Sequence, residues 1–474
     1  KKLSSESIGD SDLNPESVCT CFCPSPSRTH GHSRLISMDA THFVKTCSGN
    51  SISCLPDEVL GKILSFLPTK QAISTSVLSK KWTFMYILAD SLDFDDSDSL
   101  HAEEGGEQVF PESFKSCVDR TLALQCDSSI KKFSLKCHIG VDDECQRACV
   151  GRWISNVVGR GVVELDLHII GRGLHFLPPQ LLASKTLVKL TLGYLNLGKL
   201  PSYVSLPSLK FLYIDTIFFE YEDFCYVLLA GCPVLEELSV HHKSYAFPHT
   251  IASPTVKKLS VDYDFHREEE LSFDLPNLEY LHYSDFALYE YPQVNLQSLV
   301  EAKLELHPAE HVERPDITNL IMGIRNVEIL HLSSVSVDVI SSCCKYGLLL
   351  PVFNKLVNLS FGIKNKRGWK LLAKMLKQCP KLETLNILDL KGYRRDVSMR
   401  RNQVKFQILD YGTDEEFEQL KSFIGSKRNA EAVVDDGTRL QTKRGCNDAS
   451  WSFTKSKLPF HCRTSHLVYS YYTM

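Results

Sequence analysis

The sequence lacks most of the features that would assign it a chemistry at sight. Net charge is nearly absent: 53 Lys and Arg stand against 57 Asp and Glu, a formal balance of −4 over 474 residues. So small a balance supplies no field to draw the chain to nucleic acid or to an anionic membrane, and neither is expected as a partner. No apolar run approaches the roughly 20 residues that a membrane-spanning helix needs. The opening KKLSSESIGDSD, from Lys1, lacks the apolar middle of a signal peptide, and the missing initiator Met points to an incomplete N-terminus. Catalytic signatures are missing as well: there is no GKS/T phosphate loop, no HExxH and no GxSxG. The glycines of GRGVVE (Gly159) and GRGLHF (Gly171) lack both the spacing and the third glycine of a phosphate-binding turn. No cysteine or histidine stands in a recognisable nucleophile context. The chain is therefore expected to be no enzyme and to require no cofactor.

What is present is ordinary in bulk and distinctive in order. Apolar residues at 43% and charged ones at 23% are typical of a globular protein. A chain of 474 residues is too long for one core and should divide into two or three units. The 17 cysteines are scattered, several at apolar positions of periodic segments (Cys117, Cys149, Cys225), where free Cys acts as a small hydrophobe. That usage favours a reducing compartment, the nucleus or the cytoplasm. Residues 1–50 are Ser- and Pro-rich without a sustained period and read as a disordered leader. Within it Cys19, Cys21 and Cys23 alternate, with His30, His32 and His42 downstream. Zinc is one reading of that run. Structural zinc sites, however, usually show two separated ligand pairs, so the expectation is a polar tail and no metal.

The chain is organised around SISCLPDEVLGKILSFLPTKQAISTSVLSKKW, from Ser51 to Trp82. Pro56 suits a first helical position, where its missing N–H costs nothing, and Asp57 and Glu58 complement the helix dipole. Val59, Leu60, Ile63, Leu64 and Leu67 form a stripe at helical spacing. Pro68 ends that helix; Thr69 is expected to cap a second, carrying Ala72, Ile73, Val77 and Leu78, and Ser79 a third, carrying Trp82. Helices this short bury little alone, so surplus apolar surface implies a companion domain or a partner.

This string resembles an F-box, in the form that heads plant leucine-rich F-box proteins. The resemblance implies docking on a Skp-family adaptor, itself seated on a cullin scaffold. Carried over, the adaptor-contact positions are Leu55, Pro56, Leu60, Ile63, Leu64, Val77 and Trp82. The family's Leu-Trp pair is replaced by Met85-Tyr86, while SLDFDD (Ser91 to Asp96) matches the strand that follows, giving an F-box over 51–96.

After an acidic loop, helices are expected over Glu112 to Gln125 and Glu144 to Val158, with a strand over Ile130 to Cys137 between them. Then an apolar-x-x-apolar-x-apolar hexad recurs, its fourth positions being Leu165, Leu190, Leu212, Leu238, Leu259, Leu281, Ala302, Leu330, Leu359 and Leu385. Steps of 21 to 29 residues are those of leucine-rich repeats, each giving one short strand to a curved parallel sheet. IKKFSL at Ile130 reads as an opening repeat, and the repeat domain is expected over 110–390. The fold class is thus α/β: a small three-helix F-box followed by a solenoid with helices and loops on its outer side.

In each hexad the first, fourth and sixth residues should point inward, and the third and fifth outward. Most of the outward set is polar, but Phe211, Tyr213, Tyr280, His282 and Ile329 are aromatic, imidazole or apolar. Exposed aromatics favour interfaces, which makes these five the candidate substrate contacts; loops folded over them are the alternative. From Gly392 the chain resembles the start of an FBD region (391–434), with a strand from Val404, a helix over DEEFEQLKSFIG and a last strand AEAVV. An irregular tail is expected over 435–474. The resemblance as a whole implies a substrate-recognition subunit of a Skp-cullin-F-box ubiquitin ligase, binding an unidentified protein target. Alternatives are a non-ligase scaffold, in which the helices only cap the solenoid, and a small-molecule sensor.

Overall fold

The structure, a computed structural model, describes residues 52–97, 110–388 and the strands 397–401, 404–408 and 430–434. Segments 126–128, 141–142, 172–176, 199, 202, 217, 220–222, 243–248, 264–269, 310–311 and 313 are excepted. The expected leader and its Cys/His run, the acidic loop, the helix from Asp414 and the irregular tail lie outside the described residues. The chain divides into units 1–54 and 55–474. In the first, the described residues form one 3-10 turn, Ile52–Cys54.

The second unit opens with the helical box. α1 (Asp57–Leu64) starts directly behind Pro56, whose carbonyl accepts from the Val59 and Leu60 N–H groups at 3.1 Å. It ends at Ser65, whose hydroxyl turns back to the Gly61 carbonyl at 2.9 Å. α2 (Thr69–Ser74) has Pro68, not Thr69, at its N-cap. The Thr69 hydroxyl is already engaged by the Asp93 N–H at 2.7 Å, so it is not free to cap. The expected second helix stops at Ser74 and passes into a 3-10 turn, Thr75–Val77, and the expected third is itself a 3-10 segment, Trp82–Leu88, with Lys81 rather than Ser79 at its N-cap. Leu60, Leu64, Ala72, Trp82, Tyr86 and Ala89 close into a small core of their own, flanked by Ile63, Leu67, Ile73, Met85 and Ile87.

The sheet begins with β1 (Ser91–Asp95), paired in parallel with β2 (Lys132–His138). α3 (Glu112–Leu124) and α4 (Glu144–Gly159) flank β2 in sequence, and their apolar sides join the core behind it. There Phe110 and Phe114 pack on Trp153 at ring separations of 5.7 and 6.3 Å. β3 (Glu164–Ile170) and β4 (Lys189–Gly193) continue the parallel order. The chain then adds a short outer strand, β5 (Asn196–Gly198), and returns as β6 (Phe211–Asp215). β7 (Phe218–Phe219) pairs with β5, and β8 (Glu237–His242) returns again. Next β9 (Thr250–Ala252), β11 (Ser272–Asp274) and β13 (Val294–Asn295) form an outer three-stranded sheet. They alternate in the chain with β10 (Lys258–Tyr263), β12 (Tyr280–Phe286) and β14 (Glu301–His307) of the main sheet. β15 (Ile329–Leu332), β16 (Asn358–Gly362) and β17 (Thr384–Leu388) follow in parallel. At the far end β18 (Val397–Arg401) is antiparallel to both β19 (Val404–Ile408) and β20 (Ala430–Val434), and β19 is parallel to β17. β18 has no counterpart in the sequence reading.

Register confirms the hexad phase residue by residue. Each fourth position lies opposite the next, from Leu165 through Ala302 to Leu385. The row extends past the hexads to Phe133 and Leu92 at one end and Phe406 at the other. Repeat length decides what lies behind each strand. The 21–22-residue steps among Leu238, Leu259, Leu281 and Ala302 carry the extended strands β9, β11 and β13. The longer steps to Leu330, Leu359 and Leu385 carry the helices Thr318–Gly323, Ser334–Cys343 and Lys366–Gln378. A helix advances about 1.5 Å per residue and a strand about 3.3 Å, so only the longer repeats can return helically.

The box closes the open edge of this sheet. β1 is the terminal strand; Thr69 accepts from the Asp93 N–H that it would otherwise expose, and Ser65 accepts from the N–H of Asp90 just before it. Behind the junction the fully buried Gln125, directly following α3, directs its amide at the carbonyls of Tyr86, Ile87 and Ala89, at 3.1–3.2 Å. Arg160 holds that helix end, donating to the Leu122 and Gln125 carbonyls at 2.8 Å. Replacing Gln125 by Ala should destabilise the chain by roughly 1–3 kcal/mol, from three lost polar contacts of modest net worth each. Chemical denaturation, with faster amide exchange confined to residues 82–90, checks this. Unchanged exchange there would mean that the clamp does not hold the junction.

Candidate functional site

Two surfaces can engage other molecules. The first is the outer side of the box. Among the seven adaptor-contact positions, the structure leaves Leu55, Pro56 and Val77 on the surface, Val77 at 88% exposure, and Ile63 half-buried. Leu60, Leu64 and Trp82 are at most 4% exposed and fill the box's own core. The stripe on α1 is therefore split: its inner members fold the box, and only its margins remain for a partner. The structure adds exposed apolar residues that the stripe did not single out for docking: Phe66 at 87%, with Leu78, Phe84 and Val59 also exposed. Phe66 lies just past the end of α1, where no helical face assigns it a side, and Leu78, read as an apolar position of the second helix, follows the 3-10 turn that replaces its end. So many large apolar side chains exposed on one small folded unit mark an interaction site. Lys81 pins the N-terminal side of the box, reaching the Leu55 carbonyl at 3.0 Å and Asp57 at 3.2 Å.

The second surface is the sheet face opposite the helices. Phe211 and Tyr213 stand on β6, Tyr280 and His282 on β12, and Ile329 on β15. Phe211 is the most open, while the other four are half-buried. All five share one face, yet they do not form one patch. β8 and β10 intervene between β6 and β12, contributing the Glu237–Lys258 ion pair (2.6 Å), Ser239 and Ser260. Burial raises the hydroxyl pKa of Tyr213, with neighbouring Asp215 adding to the effect, and burial likewise raises that of Tyr280. Burial, helped by Lys303, lowers the pKa of His282, whose Nδ1 lies 3.2 Å from the Ser260 hydroxyl. The two surfaces meet at an open groove of about 540 Å³ between α1 and the first strands, walled by Phe66 and Lys62 on one side and Lys132 and Glu164 on the other.

Burial pushes the thiols of Cys225 and Cys343 to about 11, and those of Cys232 and Cys379 to about 12, where they stay protonated and inert. Among the described residues no three His, Cys, Asp or Glu side chains converge as metal ligands, and no helix is long and apolar enough to cross a membrane.

Known proteins resemble the chain along both parts. Residues 52–83 match the profile of the F-box domain, and residues 150–298 match one described as "FBD-associated F-box protein At5g56370, LRR repeats". F-box/LRR-repeat protein At1g06630 of Arabidopsis thaliana is 66% identical over 391 residues, covering 82% of this chain and 97% of its own length. F-box/LRR-repeat protein At3g60040 of the same plant is 61% identical over 432 residues, covering 86% and 96%. The putative F-box/LRR-repeat protein At3g44810 is 40% identical over 416 residues, covering 84% and 89%.

The division of the box into core and margin is measurable. Leu60→Ala should lower the stability of the chain by about 2–5 kcal/mol, as for other large-to-small core changes. Val77→Ala should stay within about 0.5 kcal/mol. Equal effects in urea unfolding would contradict the division.

Proposed function

The chain belongs to the plant F-box/LRR-repeat family, and on that premise we propose that it is the substrate-recognition subunit of a Skp-cullin-F-box ubiquitin ligase. The box docks a Skp-family adaptor through Leu55, Pro56, Val59, Ile63, Phe66, Val77, Leu78 and Phe84, and through that adaptor a cullin scaffold. The opposite sheet face receives a protein target. The chain contributes proximity and orientation, and the chemistry belongs to its partners. Its workplace is the nucleus or the cytoplasm.

The observation that carries this reading is the apolar margin of the box. A helical unit that only capped the sheet would present apolar side chains to β1 and polar ones to water. Here the capping contacts are made by Ser65, Thr69 and Gln125, while Phe66 and Val77 remain almost fully exposed. Capping and docking thus use different residues, and the first does not account for the second.

Phe66→Asp combined with Val77→Asp should abolish co-purification of a recombinant Skp-family adaptor while leaving the circular dichroism and melting of the chain unchanged. Full retention of the adaptor would overturn the assignment. Leu60→Asp cannot serve this purpose, because an unpaired charge in the box core would unfold it. For the sheet face, Tyr213→Ala with Tyr280→Ala should weaken target capture and leave adaptor binding alone. The measurement compares proteins recovered, under proteasome inhibition, by the full chain, by the double variant and by a chain lacking 51–82. Target recovery unaffected by the double variant would remove these tyrosines from the interface.

A further inference from the structure

Charge on the open sheet face is unevenly distributed along the strands. At the third hexad positions it is self-compensating: Glu164, Lys189, Glu237, Lys258 and Glu301 alternate in sign, and Lys258 is paired with Glu237. Toward the C-terminal ends of the strands, at the fifth and seventh positions from β3 to β14, four carboxylates (Asp166, Asp215, Asp262 and Glu305) face a single Lys, Lys303. Three of these carboxylates flank one aromatic ring, the outer two, Asp166 and Asp262, four strand spacings or roughly 19 Å apart, and Asp166 lies 3.0 Å from His168 Nε2. Tyr213 sits beside Asp215 on its own strand, with Asp166 two strands to one side and Asp262 two strands to the other.

The group is not an accident of exposed loops. Asp215 is nearly buried and fixed: its carboxylate is 3.0 Å from His241 Nδ1 and accepts from the Thr216 hydroxyl at 2.8 Å. Asp262 comes no nearer than 3.6 Å to the other ring nitrogen of His241, and its side chain is 47% exposed. That carboxylate therefore keeps acceptor capacity toward solvent. The aromatic wall is extended by Tyr194, just past β4 and also partly exposed. Two residues here, Tyr194 (φ 60°) and Thr216 (φ 52°), adopt left-handed backbone conformations, which for a β-branched Thr is costly. Their N–H groups bind the carbonyls of Asp215 and His241, both at 2.8 Å, so the surrounding ladder enforces the turn.

We propose that this C-terminal strip of the sheet face, centred on Tyr213, seats an arginine or lysine side chain of the bound protein, its stem or guanidinium plane against the tyrosine rings and its charge turned toward Asp262, with Asp166 adding negative field from the other side. Charge complementarity selects the occupant: the strip is net negative, held rigidly, and walled by aromatic faces of the kind that favour a cation. Arginine fits best, since its planar fork can meet a carboxylate and a ring together. The inference rests on the sheet face being the target-binding surface and names the chemistry recognised there.

The test is a selection of random twelve-residue peptides displayed on phage, against the full chain held on its adaptor. Only binders lost on Tyr213→Ala are retained, so that the face itself is interrogated. Arg and Lys should be enriched several-fold among them. Their affinity should fall about tenfold on Asp262→Asn with Asp166→Asn, and again as NaCl is raised from about 50 to about 500 mM. Replacing Arg by citrulline in a selected peptide should reproduce the loss. Tyr213-dependent binders without a basic excess, or binders indifferent to the double Asn variant, would overturn this inference while leaving the face as a docking site. Absence of any Tyr213-dependent binder would overturn both.

Discussion

The structure depends on one row of buried side chains. Neighbouring strands of a parallel sheet lie about 4.8 Å apart, and a chain that adds one strand per repeat must return to the same row every time. Leu92, Phe133, Leu165 and their successors to Leu385 are that row. Everything between two rungs is adjustable provided it spans the return path. Short repeats therefore cross as extended strands and long ones as helices, with no change in the sheet. Even the smallest rung, Ala302, keeps register, because Leu281 and Leu330 flank it and Leu304 and Leu306 of the same strand are fully buried.

A ladder built this way has an open end, and an open parallel edge is a pairing hazard. The helical box answers it with side chains. Ser65 and Thr69 take the place of a neighbouring strand for two N–H groups of the first strand and its approach. Gln125 binds the opposite end of the box from behind, its own Oε1 left without a partner. An unsatisfied buried acceptor is destabilising, and it is retained where a single amide must reach three carbonyls at once. The box and the sheet are joined by polar contacts of defined direction, more restrictive of orientation than apolar packing.

These arrangements were unequally legible in the sequence. The repeat row could be read because it obeys a period: one apolar residue in a fixed phase, ten times, with a step small enough to exclude other parallel folds. The face of each outward residue followed from alternation alone. Lateral distance did not. Tyr213 and His282 share a face and a row, yet three strand spacings, on the order of 14 Å, separate them. Leu92 was missed as a rung because SLDFDD carries no full hexad. Thr69 looked like a cap because a hydroxyl at a helix start can equally serve a backbone group elsewhere, and only the fold says which one reaches it first.

The box shows a more general limit on reading motifs. A stripe at helical spacing states that a surface is apolar and not what covers it. Leu60 and Val77 belong to the same resemblance, and no local property of the sequence distinguishes them, since both are aliphatic and both lie near helical turns. Burial does: one is 0% exposed, the other 88%. Residues shared by a family because they fold the unit are mixed in the motif with residues shared because they touch a partner. Substitutions at the first kind abolish binding by unfolding, which looks like loss of contact in any assay that measures binding alone. A docking surface on so small a unit is defined only by changes that leave its six-residue core intact. By that standard Phe66, outside the stripe and almost fully solvated, says more about the partner than Leu60 at its centre.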